Sequence, residues 1–169
     1  PLYQDRLYRN NGNGQFSDMT IALPIESESG SCVVAGDFDK DGDQDLFVGG
    51  RIKVSGYPMG PKSFILRNET KGGTIKFVNA TVEISPSLEQ IGMVTDAQWT
   101  DYNGDGWSDL IVVGEWMAVK VFKNVNGKLI EQKMPSLDKS EGWWTTIKQL
   151  DIDGDGDMDY LLGNAGLNF

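Results

Sequence analysis

Residues 37–46 read DFDKDGDQDL, residues 101–110 read DYNGDGWSDL, and residues 151–160 read DIDGDGDMDY. The three stretches share the pattern D-x-[DN]-x-D-G-x-x-D. Each lies between short runs rich in β-branched, aromatic and glycine residues, such as SCVVAG before the first stretch and LFVGG after it. Flanks of this composition are typical of β-strands. The pattern therefore predicts three acidic loops, each joining two strands.

A second motif alternates with the acidic loops. LYRNNGNGQF begins at Leu7, ILRNETKGGT at Ile65, and VFKNVNGKLI at Val121. A turn rich in Gly and Asn between two apolar stretches indicates a β-hairpin. The acidic loops are 64 and 50 residues apart, and Asn10, Asn68 and Asn124 of the hairpins are 58 and 56 residues apart. Four strands in a unit of this length are typical of a β-propeller blade.

Helices are hard to place, because 21 Gly and 6 Pro interrupt the 169 residues. No window keeps a helical apolar period for more than about two turns. We therefore expect an all-β fold of about three four-stranded blades, forming an open arc of a propeller with one acidic loop in each blade. The expected units are residues 1–30 (outer hairpin of a preceding blade), 31–85 (a blade), 92–133 (a blade) and 143–169 (a partial blade).

The composition excludes several classes of site and partner. The chain has no His and only one Cys, Cys32, which excludes Ser-His-Asp triads, Cys-His dyads, HExxH zinc sites and zinc ribbons within it. Its net charge of −10 argues against a nucleic acid or anionic membrane partner. No apolar run reaches the roughly 18 to 20 residues of a membrane-spanning helix.

The acidic residues are concentrated in the three loops. Thirteen of the 25 lie there, and the rest of the chain carries a net charge of +2. Carboxylates packed so densely repel one another unless a cation neutralises them. In each loop the side chains at positions 1, 3, 5 and 9 and the carbonyl at position 7 supply oxygen, and Gly at position 6 permits the sharp turn. An all-oxygen set favours Ca²⁺ over zinc or copper.

The sequence thus assigns a ligand set to each loop. The predicted side-chain ligands are Asp37, Asp39, Asp41 and Asp45 in the first loop, Asp101, Asn103, Asp105 and Asp109 in the second, and Asp151, Asp153, Asp155 and Asp159 in the third. The predicted carbonyl ligands are those of Asp43, Trp107 and Asp157. An EF-hand is excluded, because its bidentate Glu at position 12 is replaced here by Val48, Val112 or Leu162.

The acidic loop between two strands, alternating with the LYRN-type hairpin, resembles the FG-GAP or VCBS repeat of integrin-type β-propellers. GGRIKVSGYP (49–58), GMVTDAQWTDYNGDGWSDLIVVGEW (92–116), GWW (142–144) and LLGNAGLN (161–168) resemble more narrowly the bacterial VCBS-repeat proteins that often carry an ASPIC/UnbV domain. The resemblance implies a propeller with structural Ca²⁺ in its loops, up to three ions here. It also implies a secreted or cell-surface protein.

A closed propeller ring needs roughly 4 to 8 blades, so about three blades leave open strand edges. Such edges favour self-association or pairing with the rest of a longer propeller, and a segment of a longer propeller is the simpler interpretation. We expect a non-enzymatic, extracytoplasmic, calcium-stabilised scaffold for an unidentified protein or glycan ligand. Two alternatives stay open: a lectin-like surface using Trp143 and Trp144, and a Ca²⁺-dependent hydrolase, although metal ligation already occupies the loop acids.

Overall fold

The computed structural model describes residues 3–53 and 55–166. Within these ranges the chain forms twelve β-strands, one short α-helix, α1 (Thr81–Ile84), and two 3₁₀ helices, Thr20–Ala22 and Pro86–Gln90. The predicted all-β fold is confirmed. The three helical turns were not predicted, because segments of three to five residues are too short to show a helical period. None of the described helices is long and apolar enough to cross a membrane.

The first half of the chain forms a hairpin and a four-stranded sheet. The hairpin pairs β1 (Tyr8–Gly12) with β2 (Gln15–Asp18). The sheet is an antiparallel meander in chain order, made of β3 (Gly30–Gly36), β4 (Asp45–Gly50), β5 (Phe64–Asn68) and β6 (Phe77–Asn79). Of the three hairpin motifs found in the sequence, the first forms β1–β2 and the second forms β5–β6.

The second half repeats this meander. Its strands are β7 (Met93–Thr100), β8 (Asp109–Met117), β9 (Lys120–Val125) and β10 (Lys128–Gln132). The chain continues as an antiparallel pair, β11 (Gly142–Leu150) and β12 (Asp159–Asn164). The start of β11 also pairs with the end of β8, where Trp143 lies opposite Glu115.

The first strands of the two meanders and of the final β11–β12 pair lie side by side, and β7 contacts both β3 and β11. The contacts between β3 and β7 run in register: Ser31 Oγ donates to the carbonyl of Val94 at 2.7 Å, and Gly36 meets Trp99 further along. A Cβ at Gly36 would lie 2.7 Å from Trp99 Cγ, so a side chain there would push the sheets apart. The described sheets therefore form an open β-propeller-like arc.

Aromatic packing and a half-buried carboxylate hold the neighbouring strands together. The ring of Trp99 stacks on that of Phe38, with centroids 6.1 Å apart. Between the second sheet and β11, Asp96 Oδ2 accepts hydrogen bonds from Thr146 Oγ1 at 2.7 Å and from the Ile147 N–H at 3.0 Å. Asp96 is thus an acid outside the acidic loops with a structural role.

Strand direction places all three acidic loops at one end of the arc. β3, β7 and β11 each lead into a loop, and β4, β8 and β12 each begin with the Asp at loop position 9. The opposite end of the arc carries the segments that follow β4 and β8 and the segment that precedes β11.

Candidate metal centre

The three acidic loops share one folding pattern, in which the loop closes over its first Asp. The N–H of the position-6 Gly donates to Oδ2 of the position-1 Asp, at 3.2 Å in the first loop, 2.7 Å in the second and 3.2 Å in the third. The φ angles of these residues, Gly42, Gly106 and Gly156, are 94°, 83° and 93°. This region of backbone space is easily reached only by Gly, which explains the residue at position 6.

Two further turns wind each loop. The position-3 side chain accepts a hydrogen bond from the position-5 N–H, and the position-5 carboxylate accepts one from the position-7 N–H. These donor and acceptor pairs are Asp41 to Asp39 (3.3 Å), Asp43 to Asp41 (3.1 Å), Asp105 to Asn103 (3.0 Å), Trp107 to Asp105 (3.0 Å), Asp155 to Asp153 (3.3 Å) and Asp157 to Asp155 (2.9 Å). The acceptor in each of these turns is the Oδ1 atom, so the other terminal side-chain atom, Oδ2 or the Nδ2 of Asn103, takes no part in the turn.

The position-9 Asp anchors the loop to the sheet. Asp45 and Asp109 are fully buried. Asp45 Oδ1 accepts the N–H of Asn68 at 2.7 Å, and Asp109 Oδ1 accepts that of Asn124 at 2.6 Å. Asp159 Oδ2, at the same position of the third loop, accepts the Ile152 N–H at 2.9 Å.

Carboxylates converge in the first and third loops. In the first loop, side-chain oxygens of Asp37, Asp39 and Asp45 lie within 4.8 Å of one another. In the third loop the same holds for the oxygens of the equivalent residues, Asp151, Asp153 and Asp159. The position-5 residues, Asp41 and Asp155, are not part of these two groups.

Two carboxylate oxygens of the first loop have no partner. Oδ1 of Asp37 and Oδ1 of Asp43 are buried and accept no hydrogen bond from the residues that the structure describes. A buried oxygen without a partner is destabilising, and native structures contain few of them. A hard cation that takes only oxygen ligands would satisfy such an atom. The residues of the first loop therefore fit a bound Ca²⁺.

Burial and crowding of like charge disfavour ionisation in the first loop. Burial raises the pKa of Asp45 to about 6. Burial also raises the pKa of Asp39 and of Asp43, and the nearby Asp41 carboxylate adds to both effects. A bound cation would favour the ionised form of each carboxylate and so would lower these pKa values.

The second loop is partly neutralised by groups of the protein itself. Asn103 Nδ2 donates to Asp109 Oδ2 at 3.1 Å, and Lys123 Nζ lies 3.1 Å from Asp105 Oδ2. The hydrogen bond from the Trp107 N–H, and to a smaller extent the one from Lys123, lowers the pKa of Asp105 below its usual value. Burial raises the pKa of Asp109. With Asn103 in place of a carboxylate, the described residues of this loop do not bring three acidic oxygens together as the other loops do.

The equivalent base of the first sheet has other partners. Arg67, which like Lys123 precedes a hairpin Asn, pairs with Glu69 at 3.3 Å and with Glu83 at 3.2 Å. The first loop therefore keeps its negative charge, while the second loop shares a lysine.

Two asparagines support the loops and were not predicted as site residues. Asn68 and Asn124 hold the position-9 Asp through their N–H groups, as described above. The side chain of Asn124 also donates to the carbonyl of Phe38, in the first loop, at 2.7 Å and to that of Ser108, in the second, at 2.9 Å. It therefore ties two acidic loops together. The repeated base-Asn dipeptide of the hairpins is the sequence signal that marks these positions.

The remaining predicted residues lie in different surroundings. The carbonyl ligands of Asp43, Trp107 and Asp157 stay predictions. The Trp107 ring lies 4.2 Å from Lys40 Nζ, a cation–π contact between the first and second loops. Trp143 is exposed, whereas Trp144 is half-buried among apolar side chains and donates its indole N–H to the Ser140 carbonyl at 2.9 Å.

A family model described as FG-GAP-like repeat matches residues 3–48 and 101–162, which include all three acidic loops. The chain belongs to the FG-GAP-like repeat family. This confirms the resemblance to FG-GAP and VCBS-type repeats, while the narrower likeness to ASPIC/UnbV proteins stays a prediction. No curated protein matches this FG-GAP-like chain.

Proposed function

We propose that this FG-GAP-like repeat chain is a calcium-stabilised β-propeller scaffold that binds a protein or other ligand without catalysing a reaction. The observation that carries the proposal is the convergence of Asp37, Asp39 and Asp45 within 4.8 Å, together with a buried Asp37 oxygen that accepts no hydrogen bond from the described residues. The proposed setting is a secreted or cell-surface protein, which is typical of FG-GAP repeats.

Calcium is the metal that the donor chemistry favours. All candidate ligands are oxygens, and Ca²⁺ accepts 6 to 8 such ligands in flexible geometry, whereas Mg²⁺ demands a near-ideal octahedron. The chain has no His and a single Cys, so the soft ligands preferred by zinc or copper are lacking. Bound Ca²⁺ would supply positive charge that orders the loop, and the loop acids described above would hold it.

The three loops are expected to fill in a definite order. The first and third loops bring three carboxylates together, so they should bind first. The second should bind more weakly, because Lys123 must release Asp105 and Asn103 must rotate its amide nitrogen away from Asp109. The site that has the fewest carboxylates would thus be the last to load.

The expected stabilisation is substantial. Extracellular modules bind Ca²⁺ with a Kd of about 0.1 to 1 mM. At about 1 mM Ca²⁺ and a Kd of about 0.1 mM, each site adds about 1.4 kcal/mol to the free energy of unfolding. Two sites of this affinity and a weaker one with a Kd of about 1 mM together add about 3 kcal/mol, against a typical free energy of unfolding of about 5 to 15 kcal/mol. Sites this weak would stay empty at cytosolic Ca²⁺ levels, which supports the extracytoplasmic assignment.

A scaffold role fits the loop acids better than catalysis does. Their carboxylates accept the hydrogen bonds that wind the loops, so they are structural first. Hydrolase activity that disappears in an Asp105→Asn variant with unchanged thermal stability would contradict the non-enzymatic assignment.

The metal assignment is tested by isothermal titration calorimetry of the metal-depleted chain with Ca²⁺. We expect two tighter sites and one weaker site, and the loss of one tighter site in Asp37→Asn. Asp138→Asn is the matched control, because Asp138 is exposed and lies outside the loops. No binding heat, or an Asp37→Asn titration identical to that of the wild type, would overturn the assignment.

A further inference from the structure

The end of the arc opposite the acidic loops carries an exposed cluster of Tyr57, Trp116 and Trp143, here called the aromatic surface. The rings of Trp116 and Trp143 have centroids 5.3 Å apart and are tilted by 39°. Trp116 Nε1 donates to the Tyr57 hydroxyl at 3.2 Å. Trp116 is 52% exposed, Trp143 is 37% exposed and Tyr57 is 58% exposed. Three large rings that touch one another yet stay open to solvent suggest a binding surface.

The arc itself assembles this surface. Tyr57 lies between β4 and β5, Trp116 near the end of β8, and Trp143 at the start of β11. All three positions lie at the end of the arc opposite the acidic loops. Trp116 also has φ 58°, a left-handed conformation that is uncommon for a bulky residue. Backbone strain of this kind persists where the surroundings hold a residue in place and is frequent at ligand sites.

An ion pair lies beside the aromatic rings. Glu115 is only 3% exposed, and its Oε1 accepts hydrogen bonds from Nε of Arg51 at 2.9 Å and from Nη2. Arg51 is 47% exposed, and Glu115 is the cross-strand neighbour of Trp143. The pair therefore presents fixed polar groups next to the rings without adding net charge.

The segment that carries Tyr57 is braced in advance. The Lys53 N–H donates to the Met59 carbonyl at 3.1 Å, a hydrogen bond between residues on either side of Tyr57. Gly60 packs so tightly that a Cβ there would lie 2.4 Å from the carbonyl oxygen of Gly92. A braced loop loses little conformational entropy when a ligand binds.

We propose that the aromatic surface binds a neutral saccharide, a proposal that rests on the ligand-binding scaffold role but not on calcium. The C–H face of a sugar ring carries partial positive charge and suits the electron-rich faces of Trp116 and Trp143. The sugar hydroxyls find hydrogen-bonding partners in the Tyr57 hydroxyl and in the exposed guanidinium of Arg51, which the buried Glu115 holds in place.

Other occupants fit the aromatic surface less well. A quaternary ammonium group would also stack on aromatic faces, but the one buried acid beside them is already neutralised by Arg51. A nucleic acid would need positive charge, and the chain carries −10. The ring next to Trp143 on this surface is Trp116, which is joined in turn to Tyr57.

The test is an array of neutral β-glucan, mannan and xylan oligosaccharides beside sialylated and sulfated glycans, followed by fluorescence titration with the tightest neutral binder. The variants are Trp143→Ala and Trp116→Asn, since Asn tolerates a positive φ. Phe16→Ala is the matched control, because Phe16 is an exposed ring on a separate sheet. We expect binding about tenfold weaker or lost in the two tryptophan variants and unchanged in the control. Thermal unfolding of every variant verifies that the fold is retained.

Several outcomes would overturn the proposal. They are the absence of neutral oligosaccharide binding, binding only to charged glycans, equal affinity of both tryptophan variants and the wild type, and displacement of the sugar by tetramethylammonium. Each titration is run in Ca²⁺ and in chelator. A failed saccharide test with intact Ca²⁺ binding would refute this surface alone, and the reverse result would refute only the metal sites.

Discussion

Asp45→Asn exchanges one oxygen of a fully buried carboxylate for an amide nitrogen and removes its charge. In the wild type, burial raises the pKa of Asp45 from its usual 3.8 to about 6. Because the folded-state pKa is the higher one, the folded protein binds more protons than the unfolded chain between these two values. The free energy of unfolding therefore falls as pH rises from about 4 to about 6, and the deficit persists at higher pH.

The size of this effect follows from the shift. One pKa unit corresponds to about 1.4 kcal/mol, so the deficit above pH 6 is about 3 kcal/mol without metal. The asparagine introduced at position 45 carries no charge and so avoids this deficit. Its side-chain oxygen can still accept the Asn68 N–H, which donates to Asp45 Oδ1 at 2.7 Å in the wild type. It loses the long bond from the Phe38 N–H, at 3.4 Å, which is worth about 1 kcal/mol. In chelator the variant should gain about 1 to 2 kcal/mol.

Calcium should cancel or reverse that gain, because the variant lacks a ligand of the first loop. The assay is urea unfolding of Asp45→Asn and wild type at about pH 5 and pH 7.5, each in chelator and in Ca²⁺, with Asp138→Asn as control. The difference between variant and wild type in chelator should grow with pH. A variant that is destabilised equally in chelator and in Ca²⁺ at about pH 7.5 would refute the reasoning.

Three other predictions concern the loops and the core. Asp41→Asn should lower the thermal midpoint in Ca²⁺ more than in chelator, as measured by calorimetry, and equal effects would count against a metal role. Asn124→Ala should lower the free energy of unfolding in urea by about 2 to 4 kcal/mol, because it strips hydrogen bonds from the buried Phe38 and Ser108 carbonyls; a loss below about 1 kcal/mol would contradict this. Burial raises the pKa of the Cys32 thiol to about 11, so alkylation by iodoacetamide at about pH 8 should be about a hundredfold slower in the folded than in the unfolded chain, and similar rates would refute it.

The strands around the acidic loops could be predicted because the motif carries its own boundaries. Ligand spacing and the Gly at position 6 define the turn, and the apolar flanks define strands on both sides. The hairpins were predictable for the same reason. These signals are local, so one sequence was enough to read them.

Contacts between distant residues left no such local signal. Asn124 and Phe38 are 86 residues apart, and nothing in either neighbourhood indicates their hydrogen bond. The pairing of Lys123 with Asp105 depends likewise on how β9 lies beside the second loop. Trp143 is exposed whereas its neighbour Trp144 packs among apolar side chains, a difference that the Trp-Trp doublet does not indicate by itself.

Calcium stabilisation is tested most directly by calorimetric unfolding of the wild-type chain in about 1 mM Ca²⁺ and in chelator. Sites that together contribute about 3 kcal/mol should raise the midpoint by about 9 °C for a chain of this length. Mg²⁺ at the same concentration should give a much smaller rise, because it fits a flexible oxygen cage poorly. An identical midpoint in Ca²⁺ and in chelator would contradict the assignment of the acidic loops as calcium sites.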